Sequence, residues 1–269
     1  FMQQRIASPF LRRTSVRRFG KPFISHASID YGPAEVLARL FLRWDDDLRK
    51  RGIHLSFVPA EELLHVNREN SDSWRPLFPV FNAEVSGFND DNGFALLGRN
   101  DDGQVIAAQA ARLYDLKDGT FKEETESLRL LYTDPERLKQ PGETCTMSAK
   151  SADRFRGRVV FSGAVWYHPD YRRQGLTSIL PRLTKAYALT KWYTDAIVSF
   201  MAEDVVKGGT AERAGYAHVD WDVVMKNSML GDLRLAFIWS SAAELMRYFT
   251  GYLGESNPEI YPVVYDRAA

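Results

Sequence analysis

The sequence predicts a mixed α/β fold on three observations. Runs of β-forming apolar residues alternate along the chain with stretches whose apolar residues recur at helical spacing. Residues 94–99 and 104–112 are two such runs, separated by Asn100-Asp101-Asp102-Gly103, and an Asp-Gly pair supplies the positive backbone angles that close a tight antiparallel hairpin. Residues 159–167 form a third run, which passes straight into a charged, glycine-bearing turn and then into a helical pattern. With 269 residues, 45% of them hydrophobic, the chain is long enough to bury a substantial core around these elements.

In chain order, residues 1–33 read as an arm whose basic cluster is Arg12, Arg13, Arg17, Arg18 and Lys21. Its continuation carries Lys21, His26 and Asp30 and offers no continuous apolar segment, so an export signal is not expected. Residues 34–51 form an amphipathic helix, with Val36, Leu37, Leu40, Phe41, Trp44 and Leu48 on one face and Gly52 at its end. Residues 53–58 read as a strand, Pro59 opens a helix toward Asn70, and 71–79 is a loop before the hairpin. Residues 115–158 are the least regular part, with a short strand expected at 128–132 and turns at Asp134-Pro135 and Pro141-Gly142; this is expected to be an insertion at one end of the sheet. The strand 159–167 is followed by a helix over 177–190, in which Pro181 demands either an irregular first turn or a bend. A buried strand at 195–201, a helix at 203–214 closed by Gly215, strands at 216–225 and 233–239, a helix at 241–252 and a tail with Pro258 and Pro262 complete the chain.

The turn after the 159–167 strand is the most informative segment. A helix opening at Thr177 begins with backbone N–H groups that lack intrahelical partners and with the positive end of its dipole facing the turn, which suits a phosphate or pyrophosphate. Gly175 allows close approach of the backbone to an oxygen-rich ligand, Thr177 adds a hydroxyl, and Arg172 and Arg173 add charge-assisted donors. At Arg172-Arg173-Gln174-Gly175-Leu176-Thr177, with Pro169 three residues upstream, the chain resembles the pyrophosphate loop of the GNAT superfamily of acyl-CoA N-acyltransferases, which reads Arg/Gln-x-x-Gly-x-Gly/Ala after a strand. Thr177 is the departure from that pattern. The order of elements over residues 53–239 is also similar to that family's, and Ala211-Glu212-Arg213-Ala214-Gly215-Tyr216 resembles its last helix leading into the sixth strand.

The resemblance implies a mixed, mostly antiparallel central sheet flanked by helices. Residues 34–239 would form the acyltransferase domain, with 34–51 an added helix and 115–158 an insertion, followed by a C-terminal helix and tail over 240–269. It further implies acetyl-CoA or another acyl-CoA as co-substrate and an amine-bearing small molecule or protein as acceptor. The loop Arg172, Arg173, Gln174, Gly175, Leu176 and Thr177 would hold the pyrophosphate, and the strand edge at Val165, Trp166 and Tyr167 would pair with the pantetheine amides. A backbone N–H near Tyr167 would polarise the thioester carbonyl. The family's usual tyrosine acid falls on Ala211, so that group is missing. For a base, Glu203 at the end of a strand comes first and His168 at the strand-to-turn junction second; Glu203 equally suits a helix start and His168 a solvated turn. A non-catalytic acyl-CoA-binding or protein-interaction module of the same fold is the alternative.

Other classes find less support. Lys+Arg and Asp+Glu both total 35, so overall charge argues against nucleic acid as partner, leaving only the N-terminal cluster for such a contact. No apolar run approaches the length of a membrane span, and the single Cys145 has no partner for an internal disulfide, which fits a cytoplasmic protein. The histidines at 26, 54, 65, 168 and 218 lack metal-ligand spacing, so no metal is expected. The six tryptophans are scattered over separate elements, as core residues are. Pairing with a second copy through the arm or the tail stays open, and the acceptor pocket is expected from residues 71–88 and 115–158.

Overall fold

The computed structural model of the protein describes residues 20–254 and 264–265. Its elements run β1 (Lys21–Pro22), α1 (Phe23–His26), α2 (Ala34–Arg49), β2 (His54–Val58), α3 (Ala60–Glu69), α4 (Ala83–Ser86), β3 (Gly93–Arg99), β4 (Val105–Leu116), α5 (Phe121–Glu126), α6 (Pro135–Leu138), β5 (Thr144–Met147), β6 (Gly157–Tyr167), α7 (Leu180–Trp192), β7 (Ala196–Ala202), α8 (Glu203–Lys207), α9 (Thr210–Ala214), β8 (His218–Ser228), β9 (Gly231–Ser241), α10 (Ala242–Gly254) and β10 (Val264–Tyr265). The strands form one sheet in the order β1-β2-β3-β4-β6-β7-β9-β8-β10, with β5 also paired to β8. All neighbours are antiparallel except β6 with β7 and β8 with β10. The sheet is therefore mixed and mostly antiparallel, with helices on both faces.

Period-two alternation sorts the side chains between those faces. On β6, Val159 and Phe161 enter one core while Val160 enters the other; on β9, Leu235, Phe237 and Trp239 face the first core, and Ala236 and Ile238 face away from it. The first core is covered by α3, α5 and the segment around α4. The second is covered by α2, α7 and α10, with α8 and α9 over a smaller cluster beside them. The α2 helix places Leu37, Leu40, Phe41, Trp44 and Leu48 inward, as its spacing requires, and stops at Gly52, whose φ of +69° lets Ile53 N–H reach back to the Leu48 carbonyl at 3.0 Å. In the β3–β4 hairpin, Asn100 N–H bonds to the Gln104 carbonyl at 3.0 Å and Gly103 takes φ of +84°.

Several expectations change. Residues 128–132 form turns instead of a strand, because Leu128 adopts φ of +63° and its neighbours Leu130, Leu131 and Tyr132 are pulled individually into the first core. The strand of this region is β5, which pairs with β8 across the sheet from the β4–β6 hairpin that it interrupts. The β4–β6 ladder extends to Leu116 opposite Gly157, so the true excursion lies between those residues. The helix expected over 177–190 begins only at Leu180, after a 3-10 turn at Leu176–Ser178. Pro181 thus sits in the first turn, where no hydrogen bond is lost. The helix expected over 203–214 is two, α8 and α9, separated at Gly208 and Gly209. Within the expected N-terminal arm, Lys21 and Pro22 join the sheet edge and Phe23 is fully buried. Arg12, Arg13, Arg17 and Arg18, and the tail prolines, lie outside the described residues.

Candidate active site

The site is created where β6 and β7 part. The two strands pair in parallel only from Val159–Ala196 to Phe161–Val198; farther along, β7 pairs with β9 alone and β6 with β4 alone. At the same level β6 carries a bulge. Trp166 opposes Ala108 and Gly163 opposes Ala110, so Ala164 and Val165 share Gln109 as partner, and Ala164 takes φ of +53°. The bulge turns Val165 outward, leaving it 45% exposed on a strand whose edge toward β7 has no ladder partner among the described residues.

Beyond the bulge the strand is held firmly. The Trp166 indole stacks on Trp74 at 5.0 Å and donates from Nε1 to Ser73 Oγ at 3.3 Å. The Tyr167 hydroxyl is buried beside Thr177 without the geometry of a full hydrogen bond, and burial raises its phenol far above the usual range. His168 ends the strand, its N–H bonded to the Ile106 carbonyl at 2.8 Å. Its Nδ1 accepts the Asp170 N–H at 3.3 Å and so caps a 3-10 turn, while Nε2 lies 3.3 Å from the Gln104 amide nitrogen.

The turn at residues 172–175 is exposed and shaped largely by its own side chains. Arg172, one of the residues expected at the pyrophosphate, donates from Nε to the Tyr167 carbonyl and from a terminal nitrogen to the Ser73 carbonyl, each at 3.1 Å, and stays exposed. Gln174 Nε2 donates to the Asp170 carbonyl at 2.9 Å. Arg173 and Gly175 take φ of +62° and +77°, which reverses the chain twice. Leu176, 2% exposed, anchors the far end in the second core. Among the described residues no protein group accepts the backbone N–H of residues 173–177. A Cβ on Gly175 would meet nothing within 4 Å, so the glycine serves the backbone angle and the space above it is open.

On the first-core face of the divergence lies a cavity of about 490 Å³. Its β6 and β7 walls are Phe161, Gly163, Ala164, Ser199, Phe200 and Ala202; the strap 75–81 contributes Arg75, Pro76, Phe78 and Phe81, the β8–β9 turn Met229 and Leu230, and β9 Leu233 and Leu235. The strap is bonded down by Arg112, which donates to the Val80 and Ser86 carbonyls at 3.1 and 2.8 Å. A Cβ on Gly163 would come within 2.7 Å of the Phe81 ring, so the bare backbone there is what seats that ring against β6. Of the segment 71–88 in which the acceptor pocket is expected, Arg75, Pro76, Phe78 and Phe81 line this cavity. Nothing from 115–158 lines it, because β5 carries that excursion to the β8 edge.

Glu203 and His168 both follow the C-terminal ends of the parallel pair, and neither lines the cavity. Glu203 bonds to Lys207 at 2.8 Å and lies 3.7 Å from Arg234, and the Lys207 hydrogen bond holds its carboxyl below the usual range. Ala211 is fully buried in the cluster under α9. Burial pushes the Cys145 thiol up to about 12. Among the described residues there is no group of three or more His, Cys, Asp or Glu able to share a metal, and no helix is long and apolar enough to cross a membrane. The sequence did not single out Phe161, Phe200, Leu233 and Leu235 as lining a cavity. A glycine inside the β-rich 159–167 run was the one local signal for this place, since it marks close approach of another group.

No protein-family model and no curated protein sequence matches the chain. Among solved structures it is similar to AAC(6')-Ib in complex with ribostamycin and coenzyme A, with 13% identity and a TM-score of 0.41 over 73% of this chain and 97% of that one. It is similar also to a spermidine N-acetyltransferase chimera from Vibrio cholerae and hSSAT (10%, 0.44, covering 72% and 98%) and to an uncharacterised protein from Bacillus halodurans (10%, 0.43, covering 74% and 89%). These similarities are remote in sequence and partial in backbone.

Proposed function

We propose that the protein is an N-acyltransferase that moves an acyl group, acetyl in the first instance, from acyl-CoA to an amine. What carries this is a coincidence at the C-terminal end of β6: a turn whose N–H groups at 173–177 find no protein acceptor among the described residues, a strand edge that among them is left unpaired by its departure from β7, and an apolar cavity beside that edge. Consecutive N–H groups around left-handed residues suit a diphosphate, and an unpaired strand edge suits a chain of amides such as pantetheine. When bound, acyl-CoA supplies a thioester already activated toward amines.

The residues of the chain would do the following. N–H groups of Gln174, Gly175, Leu176 and Thr177 hold the diphosphate, and Val165, Trp166 and Tyr167 align the arm, so that reaction with an amine in the cavity becomes one between neighbours. A backbone N–H beside Tyr167 is the proposed donor to the thioester carbonyl oxygen. Arg172 is a positioning residue that ties the turn to the loop at Ser73, ahead of the strap. Glu203 is the proposed proton acceptor, acting through water, and His168 the second candidate. With a methyl group at Ala211, no acid serves the thiolate from that position. The acceptor is an amine on a small molecule or a protein, and the reaction is placed in the cytoplasm.

Calorimetry with acetyl-CoA tests the binding half. Wild-type protein is expected to bind, and Gly175→Val to bind at least tenfold more weakly; absence of binding to the wild type sinks the proposal. Amine-dependent release of free thiol tests the chemical half. Tight binding with no turnover over a broad amine panel would favour a non-catalytic acyl-CoA-binding or protein-interaction module, the second reading that Ala211 supports. Glu203→Gln is expected to lower kcat roughly 100-fold with acetyl-CoA affinity unchanged.

A further inference from the structure

We propose that the cavity between β6 and β7 takes a compact primary amine with an apolar, ring-sized body and a carboxylate at its mouth, and rejects polycationic acceptors. This rests on the acyltransferase reading above. At about 490 Å³ the cavity is of small-molecule size. Its walls are fixed by mutual ring packing: Phe161 stacks with Phe78 at 6.0 Å and meets Phe200 edge-on at 5.1 Å and Phe81 at 5.9 Å. Leucines 230, 233 and 235 form the opposite side.

Charge decides the class. No Asp or Glu lines the cavity, and its one ionised group is Arg75, exposed at the edge, with no carboxylate partner among the described residues. A spermidine or an aminoglycoside brings several ammonium groups, each of which would lose its hydration against phenyl and leucyl surface with no carboxylate lining the cavity to pair with, while Arg75 repels it. A single amine on an apolar body behaves differently. Desolvation there favours its neutral form, which is the nucleophilic one, so the walls help to prepare the amine and a base need not line the cavity. A carboxylate near that amine would meet the Arg75 guanidinium in a charge-assisted pair.

The test compares L-phenylalanine, phenethylamine and spermidine on the full chain, by calorimetric affinity in the presence of CoA and by thiol release from acetyl-CoA. Phenylalanine is expected to bind and turn over best, phenethylamine less well, and spermidine at least 100-fold worse than phenylalanine. Arg75→Gln alters an exposed side chain, so folding is preserved. It is expected to weaken phenylalanine about tenfold and phenethylamine less than twofold. Preference for spermidine, equal loss of both aromatic amines in Arg75→Gln, or failure of every amine while acetyl-CoA still binds overturns the acceptor assignment alone. So does a Leu233→Trp variant that alters the choice of acyl-chain length and leaves amine affinity unchanged, since the cavity would then hold the acyl chain. Failure of the underlying reading is separate: acetyl-CoA itself does not bind.

Discussion

The two faces of the sheet at the β6–β7 divergence solve one problem in opposite ways. On the cavity face the lining is phenyl and leucyl, and charge is kept at the edge on Arg75. On the α7 face β6 presents Ser162, with Gln109 from β4, the Tyr216 hydroxyl reaching toward Ser162 and toward Ser199, which also borders the cavity, and Lys185 of α7 lying over the Tyr216 ring at 4.0 Å. Lys185 is fully buried and donates to the Ala214 carbonyl, and no carboxylate pairs with it among the described residues. Burial pushes its ammonium well below the usual lysine value and lifts the Tyr216 phenol up to about 12. One face avoids charge by composition; the other suppresses it by desolvation. The first can hold a cavity dry, and the second is a closely packed polar layer beneath a helix.

The largest effect should come from breaking the apolar face. Phe161→Ala removes the ring on which Phe78, Phe81 and Phe200 all pack, and is expected to cost about 3–5 kcal/mol in denaturant unfolding. A loss below about 1 kcal/mol would show that the rings hold one another without it. Lys185→Met sharpens the contrast from the other side. In the unfolded chain the lysine holds its proton up to its ordinary value near 10.5, whereas in the folded chain it gives the proton up at lower pH. Unfolded protein therefore binds more protons across that window, and wild-type stability rises with pH through it. Lys185→Met should flatten the slope and leave the protein roughly 1–4 kcal/mol more stable at the acid end of the window. Equal pH profiles for the two proteins would mean that the buried ammonium carries no penalty.

Local physics made part of this legible and tertiary pairing hid the rest. The β3–β4 hairpin was readable because Asp102-Gly103 and the flanking alternation act within a dozen residues, and α2 because its apolar stripe and Gly52 are likewise local. The turn at Gly175 was readable because its residues are contiguous. The divergence of β6 from β7 was not, since it depends on where a ladder stops, and no residue in 159–167 announces that Ala164 will take a left-handed angle. The cavity draws on four segments far apart in sequence. The charge of Arg172 was visible in the sequence, and the bonds it makes to the Tyr167 and Ser73 carbonyls were not. Lys185 falls within a helix that is buried nearly all round, a setting in which a lysine gives no local sign of burial.

Gly163→Ala separates packing from backbone strain on the cavity face. Gly163 is not in the left-handed region, so its cost comes from the added methyl group 2.7 Å from the Phe81 ring, about 1–3 kcal/mol if the ring must move. Because Phe81 is a cavity wall, the amine acceptor's KM should rise while acetyl-CoA affinity stays at the wild-type value. A fall in both affinities would mean that the displaced ring distorts β6 as far as the turn.

Gly175→Ala is the complementary substitution and the smallest in stability. Here the methyl group meets nothing within 4 Å, and the only penalty is the left-handed angle, φ of +77°, which costs a residue with a side chain about 1 kcal/mol. Thermal unfolding should register that small loss. Ligand affinity is the informative readout, since the space the methyl group enters is the space a diphosphate would need, and the N–H groups of residues 173–177 point from the same reversal of the chain. Acetyl-CoA binding is therefore expected to fall more than stability does, the reverse of Gly163→Ala. If Gly175→Ala instead left acetyl-CoA affinity intact while Gly163→Ala lowered it, the anion would have to be held from the cavity side, and the division of labour between turn and cavity would be inverted.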